Sequence, residues 1–279
     1  MELWIAIVST VEKFIYVKIK NRMNIRKLTP GDYELVRFLF AETYPNLPFI
    51  FSIIEGKMPG QVWVNDNKIP QVCLIITEFS CCYISGKLDR KIFLDFFNLI
   101  REHKNIKLVC EPSSHDGQVD LLQFALLPVT WVQFEYENSS IPVPFHSNTS
   151  EFSLIKITNK ELFDKSIWKS LITAIYGNFS NYSKYGVSYI LWDEENNQVV
   201  SEAHGIASKN LIEIGTITHE KYQGRKLSTI VCNHLIHASL KKGLSPIWAC
   251  EYSNIASRSV ARNQGMSKET VFTFHTISL

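Results

Sequence analysis

Several marks of well-known protein classes are missing from this chain. None of its six cysteines (Cys73, Cys81, Cys82, Cys110, Cys232 and Cys250) forms a Cys-x-x-Cys pair, and Cys81 and Cys82 are adjacent. That spacing fits neither a zinc site nor a disulfide framework and suits a reducing compartment, so a cytoplasmic location is expected. His234 and His237 are three apart in a predicted helix, but no third ligand accompanies them, and no metal is expected. Charge excess is also lacking: 29 Lys and Arg face 27 Asp and Glu, a net charge of +2 over 279 residues. So even a balance argues against nucleic acid as the main partner. The apolar opening "MELWIAIVSTVEKFIYVKIKNR" is interrupted by Glu2, Glu12 and Lys13 and holds no uncharged run long enough to span a membrane. Its positive charges come last, the reverse of a signal peptide. Residues 1–22 read as an N-terminal extension, an added strand or helix ahead of Met23.

What is present is a globular pattern. Hydrophobic residues make up 46% of the chain, enough to bury the core of one large or two modest domains. In the first half, "LTPGDYELVRFLFAETY" reads as a helix capped by Thr29 with Pro30 at its first position. "QVWV" and "QVCLIIT" read as strands around the turn Asn65-Asp66-Asn67. A helix "DRKIFLDFFNLIREH", a strand "IKLVC", a helix "QVDLLQFALL" and a strand "TWVQFEYE" follow. Prolines and Ser/Asn residues in "ENSSIPVPFHSNTS", 137–150, break the periodicity and mark a linker. The chain therefore divides into 1–22, a first domain 23–140 and a second domain 141–279. In the second, a helix "NKELFDKSIWKSLITAIYG" ends on Gly177, three strands form a meander, and then helix, strand, helix and strand complete the order. The fold class is α+β, with no repeat visible in the sequence.

One short stretch, "YQGRKLS" (Tyr222 to Ser228), stands between a predicted strand and a predicted helix. Unpaired N–H groups and the helix dipole gather positive character at such a junction, and phosphate binds there. Gly224 permits close approach of the backbone, and Arg225 and Lys226 add charge. Taken alone, a Gly between polar residues ahead of a helix is usually only a turn. With its neighbours it resembles the GNAT superfamily of acyl-CoA-dependent N-acyltransferases, whose loop runs Gln/Arg-x-x-Gly-x-Gly/Ala. Gln223 fills the first position, Lys226 stands where that pattern has glycine, and Ser228 replaces the final small residue. A second feature of that family, an Asn and then a helix closing on Gly-Phe, is matched by "NIASRSVARNQGM" through Asn254, Ser257 and Gly265-Met266, with methionine in place of the phenylalanine. "EGKMPGQVWVNDNKIPQV" in the first half resembles the N-terminal half of glycine N-acyltransferase-like proteins and related bacterial acetyltransferases.

The resemblance implies two GNAT-like halves, each a mixed, mostly antiparallel sheet flanked by helices. The degenerate first half would wall the substrate cleft, and the second would bind acetyl-CoA or another short acyl-CoA. The acyl-CoA contacts it implies are Ile217, Thr218, Gln223, Gly224, Arg225, Lys226, Leu227, Ser228, Asn254 and Ser257. Lys226 is expected in the first turn of the helix, with helical backbone angles. The position matching the family's acid tyrosine is Ala261, which leaves Tyr252, Ser257 and Cys250 as substitutes. An attacking amine must be neutral, so a base must take its proton. Glu213, in the apolar strand "LIEIGTIT", is the first choice because burial would raise its pKa toward a useful value. Its alternative reading is an exposed glutamate beside Lys209. Glu202 competes as base, and His204 reads as structural. Trp168, Trp192 and Trp248 read as core residues, with Trp248 and Cys250 on a strand facing the cleft. Two functions compete: acyl transfer to an amine that the sequence does not identify, or non-catalytic CoA binding and scaffolding. Neither the acyl chain length nor an oligomeric state is readable.

Overall fold

The computed structural model describes residues 24–101, 103, 105–110, 119–137 and 151–277. The expected extension at 1–22, and the linker apart from its first residue, lie outside the described residues. Among the described residues, twelve strands form one sheet. The first half supplies β1 (Arg26–Lys27), β2 (Gly60–Val64), β3 (Val72–Thr77), β4 (Cys81–Gly86), β5 (Lys107–Cys110) and β6 (Leu126–Tyr136). The second supplies β7 (Ser153–Lys156), β8 (Gly186–Asp193), β9 (Gln198–Ser208), β10 (Leu211–Thr218), β11 (Ser245–Glu251) and β12 (Met266–Ile277). The order across the sheet is β1-β2-β3-β4-β5-β12-β6-β11-β10-β9-β8-β7.

Exchange the two halves, β1 for β7 through β6 for β12, and that order becomes itself read backwards. The halves therefore share one topology about an approximate twofold, although no repeat is visible in their residues. At the centre the last strands change sides: β12 lies between β5 and β6, and β6 lies between β12 and β11. The half-sheets are thus joined into one, and the division at 140/141 cuts the chain without cutting the sheet. Their expected mixed, mostly antiparallel character holds, because only β4–β5 and β10–β11 are parallel. A parallel pair needs a crossover. Helix α2 (Arg90–Ile100) provides it in the first half and α6 (Leu227–Leu240) in the second.

The remaining helices are α1 (Leu47–Ile54), α3 (Lys160–Lys165), α4 (Lys169–Tyr176), α5 (Phe179–Tyr185) and α7 (Ile255–Asn263). One face of the sheet carries a core common to both halves, in which Tyr44, Ile50 and Tyr83 join Ile172, Tyr176 and Ile190. The opposite face carries two separate cores, one beneath α2 and one beneath α6 and α7. Helix α1 belongs to the first half but packs on β9 and β10 of the second. It buries Leu47, Ile50, Phe51, Ile53 and Ile54, each stabilising by about 2 kcal/mol. That anchoring easily offsets the left-handed backbone of Asn46 just before it (φ 56°), a conformation costing about 1 kcal/mol.

Three helices expected from periodicity are formed differently. Residues 30–39 wind as a 3-10 helix, and the Thr29 hydroxyl donates to the Asp32 carboxylate instead of capping a helix. Near 121 only one 3-10 turn forms; Ala125 adopts left-handed angles (φ 55°), and the chain then extends into β6. The long helix expected at 159–177 breaks after Lys165, because Ile167 N, Trp168 N and the Ser166 hydroxyl all donate to the Glu202 carboxylate. It does end at Gly177 (φ 79°) as expected, and α5, capped by Asn178, follows as an extra helix.

Candidate active site

Strands β10 and β11 pair from Leu211 and Ser245 to Glu213 and Ile247, and there their pairing stops. β10 continues to Thr218 on β9, while β11 continues to Glu251 on β6. The sheet thus opens between them, with Glu213 at the fork. A cavity of about 270 Å³ lies against this point, and Glu213, Gly215, His204 and Trp168 from the second half line it. The first half contributes Asn46, Phe79, Tyr83 and Trp131 to its wall.

Glu213 is only 5% exposed. Burial pushes its carboxyl up to about 8, against a weaker opposing hydrogen bond from Asn46. That bond, Asn46 Nδ2 to Glu213 Oε1, is 2.6 Å long. Asn46 is held in turn by its backbone N–H, which donates to Gln133 Oε1 on β6 at 3.0 Å. Glu213 Oε2 and Asn46 Oδ1 are both buried, and neither has a hydrogen-bond partner among the described residues. Both residues line the cavity, and a buried acceptor without a donor is costly, so the two atoms are an unmet demand for N–H groups whenever Glu213 is ionised. The surroundings expected of a base are therefore present. Lys209, its neighbour in the alternative reading, lies instead over the Phe51 ring at 4.5 Å.

Glu202 has a different environment. It is fully buried and accepts from Ser166 Oγ, Ile167 N and Trp168 N at 2.9, 3.0 and 2.7 Å. His204 Nε2 stands 3.0 Å from Glu202 Oε1, and His204 Nδ1 is bonded to the Ser188 hydroxyl. Glu202 thus holds the turn that leads into α4, and His204 is hydrogen-bonded through Nδ1 alone among the described residues, its Nε2 lying near Glu202 without hydrogen-bond geometry. Both lie on the cavity side of β9, paired with Gly215 and Ile217 of β10.

The loop from β10 to α6 runs through a short 3-10 turn, Glu220–Tyr222, to Gly224 (φ 78°) and Lys226. Lys226 does not take the helical angles expected of it. It is the N-cap residue of α6, left-handed at φ 61°, ψ 20°, and its side chain makes no capping hydrogen bond. Left-handed angles cost a glycine nothing and a lysine about 1 kcal/mol. The Thr229 N–H turns back to the Lys226 carbonyl at 3.1 Å, and those of Leu227 and Ser228 ahead of it, at the start of a fourteen-residue helix, are the ones placed for an anion. Gln223, Gly224, Arg225 and Lys226 are exposed around them, Ser228 is half-buried, and Leu227 is buried in the core. Arg225 is partly engaged already, paired with Glu151 and lying 5.1 Å from the Phe152 ring. Ile217 and Thr218 end β10 beside the loop, where the Thr218 carbonyl accepts from Gln223 Nε2 at 3.3 Å. An exposed, uncapped helix start with two basic residues fits a phosphate-bearing co-substrate.

At α7, Asn254 caps as expected, accepting from Ser257 N at 3.0 Å, and Gly265 follows the helix at φ 82°. The Ser257 hydroxyl accepts from Trp248 Nε1 at 3.0 Å. Trp248 and Cys250 do not face the cavity: both pack in the core beneath α6 and α7, and it is Ala249 between them that lines it. The Cys250 thiol is pushed up by burial. Tyr252 is exposed, with the Arg258 guanidinium 4.0 Å from its ring. Ala261 is fully buried. Trp168, expected in the core, lines the cavity instead.

Sequence reasoning passed over Asn46, Tyr83, Trp131 and Phe274. Asn46 carried one signal, an Asn ahead of Leu47-Pro48, which reads as a helix cap; its side chain reaches Glu213 instead. Among the described residues, no group of three or more His, Cys, Asp or Glu is placed to hold a metal, and no helix is long and apolar enough to cross a membrane.

A family model described as GNAT acetyltransferase matches residues 37–274. An uncharacterized N-acetyltransferase of Bacillus subtilis, YdfB, is 23% identical over 262 residues, covering 90% of this chain and 98% of that protein. A GCN5-related N-acetyltransferase-like protein from Streptococcus suis superposes with a TM-score of 0.65 at 22% identity, over 88% of this chain and 98% of its own. A tandem GNAT protein from the clavulanic acid biosynthesis pathway superposes with a TM-score of 0.54 at 13% identity, over 90% of this chain and 97% of its own.

Proposed function

Because the chain belongs to the GNAT acetyltransferase family, and so is an acyl-CoA-dependent N-acetyltransferase, we propose that Glu213 is its general base and that the loop before α6 holds the phosphates of acetyl-CoA. One observation carries the reading: a buried carboxyl, pushed up to about 8, stands where β10 and β11 part. Acetyl-CoA supplies the acyl thioester. The N–H groups at the start of α6, with Gly224, Lys226 and Ser228 around them, receive its phosphates, and Arg225 contributes from beside Glu151. Gln223 and Leu227 shape the loop, Ile217 and Thr218 form the edge of the fork, and Asn254 and Ser257 border it from α7.

The acceptor amine binds in the cavity and gives its proton to Glu213 Oε2. Its nitrogen forms the C–N bond to the thioester carbonyl carbon, and the C–S bond breaks with its electron pair going to sulfur. Glu213 then holds a proton to match the one that the departing thiolate needs. A carboxyl near 8 suits both transfers at neutral pH. Glu202 orients α4 and Trp168 rather than accepting the proton. Tyr252, exposed beneath Arg258, is left as an acid only for a thiolate near the start of α7.

The test combines calorimetry with turnover. Wild-type protein should bind acetyl-CoA at low salt, and Glu213→Gln should bind it equally while losing about 10²-fold or more in rate, the usual share of a general base. Absence of binding to wild type overturns the phosphate site. Near-wild-type turnover by Glu213→Gln overturns the base.

A further inference from the structure

We infer that the acceptor is a small monoamine with an apolar, preferably aromatic, body; this rests on the reading of Glu213 given above. The cavity wall is made of rings. Phe49 and Phe79 pack at 5.0 Å, Trp131 and Phe274 pack at 4.9 Å, and Trp168 and Tyr83 close the sides. Ile172 and Ile175 complete an apolar floor. Against these stand Asn46 Oδ1 and, once Glu213 is ionised to act as base, Glu213 Oε2, two acceptors without a donor among the described residues, on neighbouring side chains that are themselves hydrogen-bonded together. A primary amine offers N–H groups to both at once. An alcohol has a single donor and leaves one acceptor unmet.

The rest of the wall decides what the amine carries. Among the described residues that line it, Glu213 is the only carboxylate, and the one cation, Lys107, lies 4.8 Å from the Trp131 ring. A polyamine would bring a second ammonium with no anion to meet it and a lysine nearby, and burying an unpaired charge is prohibitive. An aminoglycoside would bury hydroxyls against rings at roughly 1–3 kcal/mol for each left without a partner. The size agrees, since about 270 Å³ falls just below the roughly 300–1,000 Å³ of pockets that take drug-sized ligands.

Thiol release from acetyl-CoA tests this with 2-phenylethylamine, 3-methylbutylamine, spermidine, kanamycin and the dipeptide Phe-Gly as acceptors, beside calorimetric binding of acetyl-CoA alone. The two monoamines should exceed the other three by at least about tenfold in kcat/KM, the scale of discrimination that an unpaired polar group produces. 2-Phenylethanol should compete with 2-phenylethylamine about tenfold more weakly than the amine binds. Phe79→Ala should raise KM for 2-phenylethylamine with kcat largely kept, and should leave acetyl-CoA binding unchanged. Preference for spermidine, kanamycin or the dipeptide overturns the inference while the acyltransferase reading stands. Binding of acetyl-CoA with no release for any of the five also overturns it. Failure of acetyl-CoA itself to bind overturns the reading beneath it, and is seen in the calorimetry before any amine is added.

Discussion

The two halves of the sheet place the same elements in the same order and equip them oppositely. In the first half, β4 leads to α2, and Asp89 caps that helix by accepting from Ile92 N at 2.8 Å. In the second, β10 leads to α6, whose cap residue is a left-handed lysine with no capping side chain. A carboxylate that already satisfies a helix N-terminus both fills it and repels phosphate; a bare N-terminus attracts it. The third paired residue of each parallel pair differs as well, Tyr83 in β4 and Glu213 in β10. Both reach the same cavity, Tyr83 as a neutral phenol held far from ionising by burial and Glu213 as a carboxyl near neutrality. Topology is shared, so it does not by itself decide which half does chemistry. On the proposal made above, two residue choices at matching points do, which would leave the other half free to become a wall.

The sharpest way to break this contrast is through the cost of burying Glu213. Its carboxyl has an ordinary value of 4.5 and is pushed up to about 8 in the folded protein. The native state therefore keeps a proton that the unfolded chain releases between those values. Stability from this group is fully present below about 4.5, falls as pH rises, and is lost once pH passes about 8. Glu213→Gln has no such loss. Its melting temperature should match wild type near pH 4 and exceed it at pH 9 by several degrees, corresponding to a few kcal/mol. If the variant gains nothing at pH 9, Glu213 is not a desolvated carboxyl and its distinction from Tyr83 collapses.

A smaller effect is expected at Asn46, by which the first half reaches Glu213, the proposed base. Removing its Nδ2 donor takes away the interaction that lowers the Glu213 pKa. Asn46→Gly keeps the left-handed backbone at no strain. Turnover should fall about tenfold at neutral pH, the equivalent of one lost hydrogen bond to a charged group. The rising limb of the pH–rate profile should move to higher pH. A merely structural role would lower the melting point and leave that limb in place.

How much of this was legible in the residues follows from the range of the interactions involved. The loop ahead of α6, the Asn254 cap and Gly265 are local features, set by neighbours within a few positions, and they lie between the elements that the sequence predicts. The elevated pKa of Glu213 was legible from the apolar residues around it in the strand. What escaped depends on contacts across the chain. Asn46 meets Glu213 over 167 positions, and nothing near either residue announces the other. The break between α3 and α4 needs Glu202 on β9, 34 to 36 positions away, to draw off the backbone N–H groups. The exchange of β6 and β12 is likewise invisible in strands whose alternation is equally satisfied by either neighbour. Lys226 was misjudged for a different reason: its angles follow the turn, and a lysine gives no hint of a left-handed backbone.

The two helix starts can be compared directly. Asp89→Ala should destabilise the protein by about 1 kcal/mol, the usual contribution of an N-cap. Acetyl-CoA should still bind with one equivalent. A second equivalent in calorimetry would mean that the cap alone had kept phosphate from α2, and that the halves differ less than their chemistry suggests.

The smallest and most informative change is Lys226→Gly, because it separates conformation from charge. Lysine at φ 61° is strained, whereas glycine adopts such angles freely. If the loop requires that conformation, relieving the strain should outweigh the added freedom of the unfolded chain and raise stability by about 0.5 kcal/mol. The same substitution removes a charge from the exposed edge of the phosphate site. Acetyl-CoA affinity should fall by about fivefold at low salt, as for one partly exposed charge-assisted contact. The gap between variant and wild type should then close at high salt, where screening removes the charge in both. Lys226→Ala should lose the same affinity without the gain in stability, since alanine keeps the strain. Should Lys226→Gly bind acetyl-CoA as tightly as wild type at every salt concentration, the lysine is a tenant of a glycine position and the backbone of α6 holds the phosphates alone. Should it bind more tightly, the side chain obstructs the site, and the open helix start no longer accounts for what distinguishes the second half from the first.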